Sequence, residues 1–144
     1  MNILFFLTPK SEVEMVEETD TLRQVLEKME HHGYSAVPII TKDGKYAGTI
    51  TEGDILWELH RKAFPSLKEI EEIAILSVPR KRDNQAIHIS TDMEGLLDKA
   101  LGQNFVPVVD DDSTFIGIIT RRDIILYLNR VCTQNCLEKK NAAE

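Results

Sequence analysis

Gly48-Thr49-Ile50-Thr51-Glu52-Gly53-Asp54-Ile55-Leu56 returns further along the chain as Gly117-Ile118-Ile119-Thr120-Arg121-Arg122-Asp123-Ile124-Ile125. The glycines, threonines and aspartates of the two stretches are each 69 residues apart, and so are Val37-Pro38 and Val106-Pro107. Apolar periodicity alone does not hold Gly, Thr, Asp and Pro in one register. Two copies of one supersecondary unit follow, and two copies predict a compact pseudo-symmetric pair, since open solenoids need three or more.

Around this core each copy reads helix, strand, turn, strand, helix. In the first, Leu22, Val25, Leu26 and Met29 form one apolar helix face, with Asp20-Thr21 as its cap and Gly33 as its stop. Strands are predicted at Ala36–Ile40 and Tyr46–Thr51 around the turn signal Asp43-Gly44, and Ile55, Leu56 and Leu59 begin the next helix. The second copy places Met93, Leu96, Leu97 and Ala100 on its first helix. Its strands are Phe105–Val109 and Phe115–Thr120, and Ile124, Ile125 and Leu128 continue its last helix. Between the copies, Ser66 and Glu69 form a capping box that opens a linker helix over 65–75. The predicted division is a first unit at 7–64, the linker, a second unit at 76–131 and a fraying polar tail at 132–144.

The charge of −7 over 144 residues argues against nucleic acid as a partner, because a phosphate backbone demands a basic surface. Met1–Leu7 is apolar but too short to span a bilayer, and reads as a buried segment or a dimer contact. Cys132 and Cys136 imply no disulfide framework and no strong metal site, so a cytoplasmic setting is expected. No nucleophile triad, P-loop or dinucleotide fingerprint occurs, and the expectation is a non-enzyme that requires no cofactor. His31 and His32 read as the basic end of a helix, and Trp57 as a core or dimer anchor.

The doubled Val-Pro strand, each copy followed by Gly-x-x-Thr-x-x-Asp and an apolar helix, resembles the CBS domain, named for cystathionine β-synthase, in its tandem form, the Bateman module. Leu7-Thr8-Pro9 is similar to the segment that leads into such a domain, with Leu76-Ser77 its counterpart. The resemblance implies an α+β fold: two β-α-β-β-α repeats packed sheet to sheet about a pseudo-twofold axis, with two clefts between them. It implies binding of an adenine nucleotide (AMP, ADP, ATP, S-adenosylmethionine or cyclic di-AMP), regulation of an effector protein, and a homodimer held by apolar outer helices. Ile55, Leu56, Leu59, Ile124, Ile125 and Leu128 are the expected contacts.

The residues support a nucleotide site on their own chemistry. Arg121 and Arg122 fall in a helix's first turn, where free N–H groups and two guanidiniums favour a phosphate. Asp123 is suited to a ribose diol, while Thr120 with Asp123 is equally a capping box. The resemblance pairs Thr120, Arg121, Arg122 and Asp123 with Tyr34, Ser35, Ala36 and Pro38 of the other copy, for the purine. A second, weaker site would use Thr51, Asp54, Phe105 and Pro107, weaker because Glu52 and Gly53 replace the arginines. The first pairing is similar to small stand-alone CBS proteins of Gram-positive bacteria that bind cyclic di-AMP. This chain departs from those proteins in keeping Asp123, and Glu12 and Glu14, near that cleft, oppose a doubly charged dinucleotide, so a mononucleotide such as AMP stands at least level with it. A constitutive dimer whose corners serve stability alone is the competing expectation.

Overall fold

The computed structural model describes all residues from Met1 to Glu144. Each repeat builds one lobe. The first contains β2 (Val16–Glu17), α1 (Leu22–His32), β3 (Ala36–Ile40), β4 (Tyr46–Thr51) and α2 (Glu52–Arg61). The second contains β5 (Ile87–His88), α4 (Met93–Gly102), β6 (Phe105–Val109), β7 (Phe115–Thr120) and α5 (Arg121–Ala143). In chain order α3 (Leu67–Ile70) falls between the two, packing its Ile70 into the first lobe's core, and β1 (Thr8–Pro9) precedes both. The first sheet has the order β2-β3-β4 and the second β1-β7-β6-β5.

The two hairpins repeat each other in register. Ala36 pairs with Thr51 and Phe105 with Thr120, and the pairing shifts between Ile39 and Ile40 as it does between Val108 and Val109. The sheets have separate cores, one around Leu22, Val25, Ile39, Ile50 and Ile75, the other around Ile3, Leu96, Val106, Val108 and Ile119. They meet at their turns, where Phe115 donates its N–H to the Gly44 carbonyl at 2.9 Å and Tyr46 stacks on Phe115 with ring centres 6.4 Å apart.

Two segments cross between lobes, and they position the candidate site. Residues 8–9 of the N-terminal strap pair antiparallel with β7, although the strap then enters the first lobe through β2. Residues 80–84, which enter the second lobe, lie along β4 of the first: Asp83 accepts the Thr49 N–H at 2.9 Å and Asn84 donates to the Phe105 carbonyl at 3.0 Å.

Several expectations need correction. The linker helix is one turn, not 65–75, because the next residues are drawn into the lobe: Ile73 accepts the Leu22 N–H at 2.8 Å and Ala74 bridges Thr21. The tail is helical to Ala143, since nothing after Thr120 breaks the helix and Leu137, Lys139, Lys140 and the terminal alanines favour it. Ile55 and Ile124 are core residues, whereas Leu56, Ile125 and Leu128 stay exposed. Trp57 is exposed and lies outside the core. In Met1–Leu7, Ile3 and Phe6 are buried while Phe5 points outward.

Candidate functional site

Each repeat ends its second strand at a threonine and starts a helix at the next residue, so the two corners are built alike. Their side chains are used differently. At the first corner Thr51 Oγ1 accepts the Asp54 N–H and Asp54 Oδ2 accepts the Thr51 N–H, both at 3.1 Å, a complete capping box. The other carboxylate oxygen, Oδ1, accepts the backbone N–H of Lys81 at 3.0 Å. Asp54 is 6% exposed, so fold contacts occupy both of its oxygens.

At the second corner Thr120 Oγ1 accepts the Asp123 N–H at 3.1 Å, but no hydrogen bond or ion pair engages the Asp123 carboxylate. Arg122 is exposed and likewise has no partner. Arg121 departs from the expectation of two phosphate-facing guanidiniums. Its Nε donates to the Ala100 carbonyl at 2.8 Å, Nη1 to Asn104 Oδ1 at 3.2 Å and Nη2 to the Leu101 carbonyl at 3.4 Å. The reason is local: α4 ends on Gln103 in an extended conformation, leaving terminal carbonyls that attract a cation.

The remaining predicted residues flank these corners. Tyr34 and Ser35 are exposed where β3 begins, and the Ser35 carbonyl accepts the Glu52 N–H at 2.9 Å. Ala36 is half-buried, and Pro38, Phe105 and Pro107 are buried within the sheets. No hydrogen bond or ion pair joins Tyr34–Pro38 to Thr120–Asp123. The N-terminal strap spans between these regions, packing residues 10–12 on β7 and pairing Glu14 Oε1 with His32 Nε2 at 3.2 Å.

The first corner has cations of its own. Thr51, Gly53, Asp54 and Trp57 line a cavity of about 500 Å³ together with Lys81 and Arg82. They belong to Arg80-Lys81-Arg82, which reads in the sequence as a solvated loop, with closure over phosphates as the alternative. The carboxylate of Asp123 borders a smaller hollow of about 270 Å³ with Leu7, Thr8, Tyr127 and Arg130.

A family model described as the CBS domain matches residues 7–61 and 78–130, each one lobe with its repeated corner. The chain belongs to the CBS domain family. Among its CBS relatives, cyclic di-AMP receptor B of Bacillus subtilis is 28% identical over 130 residues, covering 87% of this chain and 84% of that protein. An uncharacterized protein of Methanopyrus kandleri is 27% identical over 107 residues, and the match spans only 53% of its length. A crystal structure of CbpB in complex with c-di-AMP superposes with a TM-score of 0.84 at 27% identity, covering 96% of this chain and 91% of that one. CbpB from Streptococcus agalactiae gives 0.79 at 27% identity, covering 91% and 82%. The fold is therefore that of a CBS pair. No helix is long and apolar enough to cross a membrane.

Proposed function

We propose that this CBS pair is a regulatory receptor that binds one cyclic di-AMP per chain, in the cleft between Tyr34–Pro38 of the first lobe and Thr120–Asp123 of the second. The observation that carries the reading is the likeness, over 96% of the chain, to a CBS pair crystallised with c-di-AMP. The second corner supplies the unspent chemistry. Arg122 is an unpaired guanidinium in the first turn of α5, beside its own free N–H, where a phosphate is stabilised by charge and by the helix dipole. Asp123 is an open acceptor for a ribose hydroxyl. Tyr34 offers a ring face to a purine, and Ser35 with the Ala36 backbone reads its edge. AMP, ADP and ATP present the same adenosine and one phosphate end, and they are the competing ligands.

The first corner follows the stability reading, because the Asp54 carboxylate is already engaged. The receptor works by population shift: the ligand must favour one arrangement of the two lobes over another, and an effector protein reads the difference. A homodimer is supported by the exposed Leu56, Leu97, Leu101, Ile125 and Leu128 on the outer helices. The unpaired Cys132 and Cys136 support a cytoplasmic setting. Titration calorimetry with cyclic di-AMP, AMP, ADP and ATP tests the reading. Saturable binding of cyclic di-AMP at one per chain is expected, and no heat with any of the four at millimolar concentration would refute it.

A further inference from the structure

Glu14, His32 and Tyr34 form a chain of contacts that the nucleotide reading does not yet use. Glu14 stands on the N-terminal strap between residues 10–12 and β2, and its Oε1 lies 3.2 Å from His32 Nε2. His32 is the last residue of α1. The His32 ring in turn lies nearly parallel to Tyr34, 17° apart with centres 5.7 Å apart, while His31 meets His32 edge-on. Gly33, in the left-handed conformation with φ of 69°, reverses the chain between the two rings and lets them stack.

We infer that His32 is a positioning residue for nucleotide recognition: it backs one face of Tyr34, leaving the other for a purine, and its ring nitrogen engages the Glu14 carboxylate beside the cleft. This rests on the reading of Tyr34 as the purine platform. An exposed tyrosine that must be immobilised by its ligand gives up rotamer freedom on binding, and a ring already stacked on a neighbour loses less. A free carboxylate near a dianionic ligand opposes binding, and the His32 ring nitrogen 3.2 Å away holds Glu14 Oε1 against the end of α1. Of the two carboxylates that argued against a dinucleotide on sequence grounds, Glu14 has this partner and Glu12 has no hydrogen bond or ion pair. The strap that carries Glu14 also pairs with β7, so the relay links the base platform to the sheet that ends at Thr120.

The test is cyclic di-AMP affinity by calorimetry, with melting temperature as the control for folding. His32→Ala removes both the backing ring and the partner of Glu14, and affinity should fall about tenfold with an unchanged melting temperature. His32→Phe keeps a stacking ring but leaves Glu14 uncompensated, and should lie between His32→Ala and wild type. Combining Glu14→Gln with His32→Phe restores a backed tyrosine without the charge, and should return affinity to within about twofold of wild type, a rescue that a purely structural histidine would not give. His32→Ala binding as tightly as wild type, or a double variant as weak as His32→Ala, overturns the inference while the receptor reading stands. Wild-type protein that takes up no nucleotide removes the receptor reading and this inference with it.

Discussion

Asp54 Oδ1 accepts the backbone N–H of Lys81 at 3.0 Å, whereas Asp123, the matching carboxylate of the second repeat, has no such donor. One residue type at one position of a repeated motif thus holds the fold together in one copy and stays open in the other. The difference originates in the crossing segments. The 80–84 segment lies along β4 with Asp83 and Lys81 bonded to lobe one, while the N-terminal strap pairs with β7 through Thr8 and Pro9 and gives the Asp123 carboxylate no donor.

Exchanging these aspartates should separate stability from binding. Asp54→Ala breaks the capping box and orphans the Lys81 N–H, costing about 1–3 kcal/mol and lowering the melting temperature by several degrees, with cyclic di-AMP affinity within about twofold of wild type. Asp123→Ala should leave the melting temperature within about 2 °C and weaken binding at least tenfold. Thermal melts and calorimetry on the two variants decide it.

The adjacent arginines should divide in the same way. Arg121→Ala uncovers the terminal carbonyls of α4 and costs about 1 kcal/mol of stability, read as a shifted urea midpoint. Arg122 makes no hydrogen bond or ion pair, so Arg122→Ala should leave the midpoint in place. It should also weaken cyclic di-AMP binding about tenfold, and less so as salt is raised.

Gly117 has φ of 156°, and a Cβ there would run into the Thr8 carbonyl oxygen, the backbone of β1 itself. Gly117→Ala should therefore cost about 2–3 kcal/mol and loosen the strap from β7. Faster amide exchange at residues 7–12 than at β6 is the expected signature. Gly48 has an analogous position, but the obstruction is the Asp83 side chain at 2.6 Å, so Gly48→Ala should cost less.

Tyr46 predicts a pH dependence. Burial raises its pKa from 10.0 to about 12, with the nearby Asp83 charge adding to the effect, while its hydrogen bond with Thr49 acts the other way. Above pH 10 the unfolded chain loses this proton more readily than the folded one, so folding stability is intact below pH 10 and declines as pH approaches 12. At pH 11.5 the loss from this residue is about 1–2 kcal/mol. Urea titrations at pH 9 and 11.5 should show it, and Tyr46→Phe should remove that part of the slope.

Much of this architecture is legible in the residues themselves. The four long strands stand at the predicted bounds because β-branched runs are closed off by Asp43-Gly44 and by the aspartate-rich turn at 110–113. Thr21, Thr51, Ser66 and Thr120 cap helices because a hydroxyl two or three residues before orphan N–H groups has a local partner. What escaped notice is what tertiary contact decides. A two-residue strand such as β1 exists only because β7 supplies its bonds, and the Thr21–Ala74 bridge shortens the linker helix. The destination of Arg121 depends on how α4 ends, a feature on another element. Glu14 and His32 meet because the strap passes the end of α1, which no spacing in the sequence encodes.

The most direct measurement is a crystal structure of the chain with cyclic di-AMP, accompanied by the binding stoichiometry. One ligand per chain is predicted, a purine on Tyr34, a ribose on Asp123 and a phosphate on Arg122. Ligand lodged instead against Thr51, Lys81 and Arg82, or binding that Asp123→Ala leaves untouched, would contradict the account.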